Sequence, residues 1–272
     1  MIPRDFITSW RKTVPWVQDA LVEQDLVISR ALIDIYSRPA LAKALAFRGG
    51  TALYKLHLPP ARYSEDIDLV QTEPGAIGIV IDELRGALSW LGEPARKQNE
   101  GRVTLTFKFL SEDAPPLPLK LKVEINTREH FAVYGHTDVA FAVDNRWFKG
   151  AAHIRSFALD ELLATKMRAL YQRKKGRDLL DLDLALQRDD VDAARIVAAF
   201  QKYMSHEAHP VTRAMFERNL AEKLGDDRFT ADLGPLLASG FTWEPTNAAA
   251  RVGALVALLP GEPWQRPKWP AR

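Results

Sequence analysis

The stretch LKLKVEINT alternates without a break: Leu119, Leu121, Val123 and Ile125 fall on one side, Lys120, Lys122, Glu124 and Asn126 on the other. A period of two cannot form one face of a helix and fits a strand with one buried side and one side open to polar chemistry. SEDIDLV repeats the pattern, with Ile67 and Leu69 facing one way and Asp66 and Asp68 the other, and VTLTFKFL reads as a further strand. A sheet with an apolar face needs a second layer to cover it. Helical periodicity supplies one. From Trp16 to Tyr36 the residues Val17, Leu21, Ile28, Leu32 and Ile35 share a stripe, a second helical stretch follows Pro39, and residues 77–92 read as another helix. Pro59 with Pro60, and later APPLP, interrupt regular structure.

Strand signals vanish beyond about residue 156. FALDELLATKMRALYQR and GRDLLDLDLAL read as two helices separated by a turn at Gly176. The predicted class is therefore α+β: a small mixed sheet with flanking helices over 1–155, a helical region over 156–259, and a Pro-rich tail over 260–272. Pro260, Pro263, Pro267 and Pro270 favour an extended tail, with Trp264 and Trp269 expected to pack back onto the body.

With 272 residues, 47% of them hydrophobic and 26% charged, the chain can bury a core. The absence of cysteine excludes disulfides, thiolate metal sites and a cysteine nucleophile. No uncharged apolar run approaches the roughly 18 residues of a membrane span, and the first residues lack an apolar signal core, so a cytoplasmic protein with no membrane partner is expected.

Asp66 and Asp68, two apart on a strand, project from one face with Cα atoms about 6–7 Å apart, within reach of one or two bridging divalent cations. Such a pair repels itself unless a cation or a neighbouring Arg or Lys neutralises it. Alone, a solvated acidic edge strand would look the same. Two features add to it. Gly49, Gly50 and Thr51 form a turn where backbone N–H groups can approach an anion at the start of a helix. Glu124 offers a third carboxylate on a later strand. A glycine turn, an alternating Asp-x-Asp strand and a later Glu strand, in that order, are what two-metal nucleotide chemistry needs. The turn holds a triphosphate, Asp66 and Asp68 hold Mg²⁺, and Glu124 completes the metal site. Ser64 lies within reach of a nucleotide phosphate, or makes a hydrogen bond at the strand start. Without thiolates, the carboxylates point to hard Mg²⁺ instead of zinc.

The formal charge of +2 hides a local excess: from Arg146 to Asp178 nine basic residues face three acidic ones. Arg168, Arg173, Lys174, Lys175 and Arg177 either form a solvated face or track an RNA backbone, and RNA contact is the expectation taken forward. Tyr171 fits a stacking role on a terminal base or a place in the core. His206 and His209 read as a surface pair.

FRGGTALYKL, RYSEDIDLV, LKVEIN and ELLATKMRALYQRKKGRDLLDL, preceded by QDLVISRALIDIYSRP, together resemble the AbiEii/AbiGii-type nucleotidyltransferase toxins of the DNA polymerase beta-like superfamily, over about residues 24–184. The fifteen residues between Gly50 and Asp66 exceed the wider superfamily's spacing and match this branch. The resemblance implies a mixed-sheet nucleotidyltransferase core and a helical C-terminal region. It implies a toxin that transfers a nucleotidyl group from an NTP, in some relatives to the 3′ end of tRNA. A partner antitoxin, often a winged-helix regulator encoded nearby, is also implied. Asp66 and Asp68 match the metal-binding acids, Lys166 the lysine that neutralises phosphate charge, and Asp178 the acid of the later motif; Glu124 fits the third-carboxylate position through VEI alone. Other readings are protein AMPylation by the same site, or a non-catalytic nucleotide- or partner-binding module.

Overall fold

Strand β2 (Asp66–Gln71), which bears both aspartates, is an inner strand of a mixed seven-stranded sheet. The computed structural model describes residues 2–265 apart from 230 and 232. The chain divides into two units, Met1–Ala158 with Leu237–Phe241, and Leu159–Leu236 with the residues from Thr242 onward.

In the first unit α1 (Arg4–Trp10), α2 (Asp19–Tyr36) and α3 (Pro39–Ala44) precede β1 (Leu45–Arg48), which runs directly into α4 (Gly49–Leu56). After β2 come α5 (Gly78–Ala87), β3 (Ala95–Asn99), β4 (Arg102–Leu110), β5 (Pro118–Asn126), β6 (His136–Asp144) and β7 (Lys149–Phe157). The order across the sheet is β3-β4-β5-β2-β1-β7-β6, with β2 parallel to β5 and β1 parallel to β7. The fold is α+β, as the alternation predicts. Phe47, Ile67, Leu69, Val103, Leu105, Phe107, Leu121, Val123 and Ile125 make one sheet face fully buried. Helix α2, whose Leu26, Ile28, Leu32 and Ile35 are all inaccessible, packs against β5 and β7. Val17, assigned to its stripe from spacing, precedes the helix and is 68% exposed.

Four strands escaped the sequence reading, each for a physical reason. β1 is four residues long and too short to show a period; β3, ARKQN, is an exposed edge with no apolar face. β6 and β7 carry alanines where stronger strand formers would mark the pattern.

Buried polar groups fix how the helices of this unit meet. The Asp25 carboxylate accepts from Trp10 Nε1 (2.9 Å), Trp16 Nε1 (3.1 Å) and Lys55 Nζ (2.8 Å), tying α1 and its following loop to α2 and α4. Glu23 is less well served. Its Oε2 accepts from the Glu112 N–H at 2.9 Å, while Oε1 is buried without a partner. Burial, with Asp113 adding, pushes its carboxyl up to about 7. A raised carboxyl pKa means that the native state holds its proton more tightly than the unfolded chain. This contribution is therefore full below about pH 4.5 and is lost as pH rises through about 7. Glu23→Gln should accordingly gain on wild type by about 1–3 kcal/mol between pH 5 and pH 8 in urea unfolding; a constant difference across that range would contradict this account.

In the second unit α6 (Leu159–Gln172) packs on α7 (Gly176–Ala185) and α8 (Ala193–His206), and α9 (Arg213–Leu224) and α10 (Pro245–Val256) complete it. The buried Glu161 accepts from the Tyr203 hydroxyl at 2.7 Å, and Asp192 caps α8 through the N–H groups of Ala194 and Arg195. Tyr171 packs on Phe216, with ring centroids 5.4 Å apart, which favours its core role. The Trp264 N–H donates to Glu217 Oε2 at 2.7 Å, so the described part of the tail returns to this unit. Trp269 lies outside the described residues. Among the described residues no helix is long and apolar enough to cross a membrane.

Candidate active site

The register of β2 determines what its aspartates meet. Asp66 lies opposite Lys122 of β5, and Asp68 lies between Glu124 of β5 and Arg48 of β1. The polar face that the alternation predicts thus gathers Asp66, Asp68 and Glu124 on neighbouring strands. It also brings in a cation that the linear order does not reveal. Lys122 Nζ is 3.9 Å from Asp66 Oδ2 and forms a close ion pair with Glu124, whose other oxygen lies 3.3 Å from Arg102 Nη1.

Charge crowding is strong here. Burial pushes the Asp66 carboxyl up to about 6, Lys122 opposes the shift, and Asp68, Glu65 and Glu124 add to it. Lys122 moves upward as well: burial disfavours its charge, but Glu124, Asp66 and Asp68 outweigh that. Asp66 Oδ1 is buried and has no hydrogen-bond partner. A buried carboxylate oxygen without a donor is costly unless a cation completes it. Asp66 and Asp68 therefore fit a divalent cation, as hard oxygen donors on one face with an uncompensated atom. Glu124 shares the cross-strand row of Asp68 but is engaged by Lys122 and Arg102. Among the described residues no three His, Asp or Glu side chains stand close enough to hold an ion together as placed.

The glycine turn abuts the same strand. Gly49 has φ +86°, and a Cβ there would stand 2.1 Å from Asp68 Oδ2, so only glycine allows that carboxylate to lie against the turn. Helix α4 starts with no side-chain cap from Arg48, and its N-terminal end favours an anion. A Cβ on Gly50 would meet Arg62 Nη2 at 2.5 Å and Ser64 Oγ at 2.9 Å. Thr51 is buried, its Oγ1 donating to the Asp66 carbonyl (2.6 Å) and sharing a hydrogen bond with Ser64 Oγ (2.9 Å). Thr51 and Ser64 thus join the turn to the start of β2.

Arg62 was overlooked in the sequence. It is buried, donates to the Tyr63 carbonyl at 3.0 Å and lies over the Tyr54 ring at 5.2 Å. A cation one residue from a tyrosine and four from Asp66 was the available signal. Its guanidinium, Lys55, Thr51 and Ser64 line a cavity of about 180 Å³ together with Trp10 and Trp16.

Lys166 and Asp178 belong to the helical unit. Lys166 is 6% exposed, its ammonium 2.8 Å from Asp181 Oδ2 and 3.4 Å from Asp178 Oδ1. Arg173 grips Asp178 with both arms of its fork, at 2.7 and 2.8 Å. Asp181 is thus the nearer partner of the lysine. The basic stretch is largely neutralised: Arg168 pairs with Glu207 at 2.9 Å and lies over Tyr203, Arg173 with Asp178, and Lys174 with Asp226. Lys175 is exposed beside α7 and Arg177 half-buried within it.

Among curated protein sequences none matches the chain. Of solved structures, MenT4, a nucleotidyltransferase toxin from Mycobacterium tuberculosis, superposes with a TM-score of 0.65 at 16% identity over 96% of this chain and 91% of its own. JHP933 from Helicobacter pylori gives 0.57 at 14% identity over 89% and 93%, and a putative nucleotidyltransferase from the same species 0.54 at 14% over 89% and 95%. At these identities the likeness speaks for the fold. The family model of the nucleotidyl transferase AbiEii toxin, type IV toxin–antitoxin system, matches residues 30–251, which include the glycine turn, the acidic strand and the Lys166–Asp178 helices. The chain belongs to the AbiEii nucleotidyltransferase toxin family.

Proposed function

We propose that this toxin transfers a nucleotidyl group from an NTP to the 3′-hydroxyl of an RNA, most simply tRNA, and that it uses Mg²⁺. The observation that carries this reading is the buried, donor-less Oδ1 of Asp66 beside Asp68, on the strand that abuts the start of α4. Asp66 and Asp68 would hold the metal, which when bound supplies Lewis-acid charge at the phosphates. The Gly49–Gly50 turn presents N–H groups to the triphosphate, and Arg62 behind Gly50 braces it. The acceptor oxygen bonds to the α-phosphorus, the α–β anhydride bond breaks, pyrophosphate leaves with that electron pair, and the hydroxyl proton passes to solvent. Lys166 keeps the role that the family match implies, neutralising phosphate charge, with Asp178 and Asp181 fixing its ammonium. An antitoxin that silences this activity completes the reading.

The test is direct. Purified protein is incubated with Mg²⁺, each α-labelled NTP in turn and a whole-cell lysate. Label is expected on RNA of tRNA size, and its appearance should stop with EDTA. Label on protein instead would assign AMPylation, and label on neither would remove the transferase reading.

A further inference from the structure

The polar face of the sheet continues past the acids. One cross-strand row holds Lys97 of β3, Thr104 of β4, Glu124, Asp68 and Arg48; the next holds Thr106, Lys122 and Asp66; beyond it Lys108 lies directly opposite Lys120. Arg102 belongs to the same face. On β3, β4 and β5 its side chains are exposed or half-exposed, while Val103, Leu105, Phe107, Leu121, Val123 and Ile125 on the other face are buried. Lys97, Lys108 and Lys120 are exposed and form no ion pair among the described residues. Lys122 and Arg102 share the Glu124 carboxylate, and Lys122 also lies 3.9 Å from Asp66 Oδ2.

Like charges directly opposite across a strand pair destabilise it by a few tenths of a kcal/mol, so the Lys108–Lys120 pair stabilises nothing in the free protein. It lines a cavity of about 570 Å³ with Gln24 and Glu65, the residue just before Asp66. Lys97 lies three strand spacings, about 14 Å, from Asp68 along its row. Cations thus flank the acid pair at the scale of a few nucleotides. The 166–177 stretch, by contrast, is largely neutralised within its own unit.

We propose that the open face of β3–β5, through Lys97, Lys108 and Lys120, binds the backbone of a single-stranded RNA 3′ end whose terminal hydroxyl reaches Asp66 and Asp68. This rests on the RNA-acceptor reading above. The face offers ammonium groups and threonine hydroxyls with no exposed aromatic ring among them, so binding is electrostatic, indifferent to sequence and steeply salt-dependent.

The triple variant Lys97→Gln/Lys108→Gln/Lys120→Gln tests it, with the corresponding triple Lys→Arg variant as a charge-preserving control. Binding of a fluorescein-labelled single-stranded oligoribonucleotide is followed by anisotropy over a salt series, alongside acceptor KM in the labelling assay. The glutamine variant should bind at least 10-fold more weakly at low salt, with a slope of log K against log salt shallower by about 2, and KM for acceptor should rise in step; the arginine variant should match wild type. Wild-type affinity and slope in the glutamine variant would overturn the surface while RNA labelling by wild type kept the transferase reading intact. If wild type labels only protein, the RNA-acceptor reading falls and the surface falls with it.

Discussion

Asp66→Asn and Asp68→Asn should each lose nucleotide transfer by on the order of 10³-fold, the equivalent of about 4 kcal/mol of transition-state stabilisation, and Asp66→Asn should become more stable in doing so. The two effects share an origin. Asp66, Asp68, Glu65 and Glu124 crowd one end of the sheet, with Lys122 and Arg102 as local counter-charges and Asp66 Oδ1 without a donor. Removing one negative charge relieves repulsion that the proposed cation would otherwise offset. A gain of about 0.5–1 kcal/mol in urea unfolding, measured without divalent metal, is expected. A structural acid would behave in the opposite way, losing stability and keeping activity. Wild-type turnover in either variant would remove the acids from the proposed chemistry.

Gly49→Ala comes next in size. The backbone there is left-handed at φ +86°, which costs a non-glycine residue about 1–2 kcal/mol. The added methyl would also stand 2.1 Å from Asp68 Oδ2, 2.9 Å from its Cγ and 3.0 Å from its Cβ, so the whole carboxylate must move. Stability should fall by about 2–3 kcal/mol and transfer by about 10²-fold, the cost of misplacing a reacting group by an ångström. A double-mutant cycle separates the two causes. In an Asp68→Ala background the contacts at 2.1 and 2.9 Å are gone and only the Cβ at 3.0 Å remains, so Gly49→Ala should there cost little beyond the backbone part. Equal costs in both backgrounds would show that the contact between turn and carboxylate contributes nothing. Gly50→Ala meets the far end of Arg62 without a strained φ and should be milder.

Much of this was legible from spacing. A period of two placed Asp66 with Asp68 and Lys122 with Glu124 before any strand had a neighbour. The apolar rhythm of 157–173 and the glycine at 176 marked α6 and α7 almost to the residue. Register was the part that spacing could not carry. Nothing local sets Lys122 opposite Asp66, because the crossover from β2 to β5 passes through α5, β3 and β4 before the parallel pair forms. Charge pairing depends on the fold for the same reason. The run from Lys166 to Arg177 contains no acid, yet Asp181, Glu207 and Asp226 reach it from further along the chain. Of the exposed lysines of β3–β5, Lys108 and Lys120 alternate with neutral residues and Lys97 has only Arg96 beside it, so none stands in a long run.

The short segment Leu237–Phe241 belongs to the first unit although about eighty residues of the second precede it. Leu237 bridges to Arg62, the Ala238 N–H donates to the Ala61 carbonyl at 2.9 Å, and the Ser239 N–H to the Pro15 carbonyl at 3.3 Å. These bonds clasp the loop that delivers Arg62 and Ser64 to the glycine turn. The first unit is therefore not a module that a gene can shed or borrow by a single cut. A fragment ending at residue 158 would keep Asp66, Asp68 and Glu124 and still lack the strap over the loop beside them. Recombination in this lineage must carry the helical insert along or replace it with something that returns the chain to the same place.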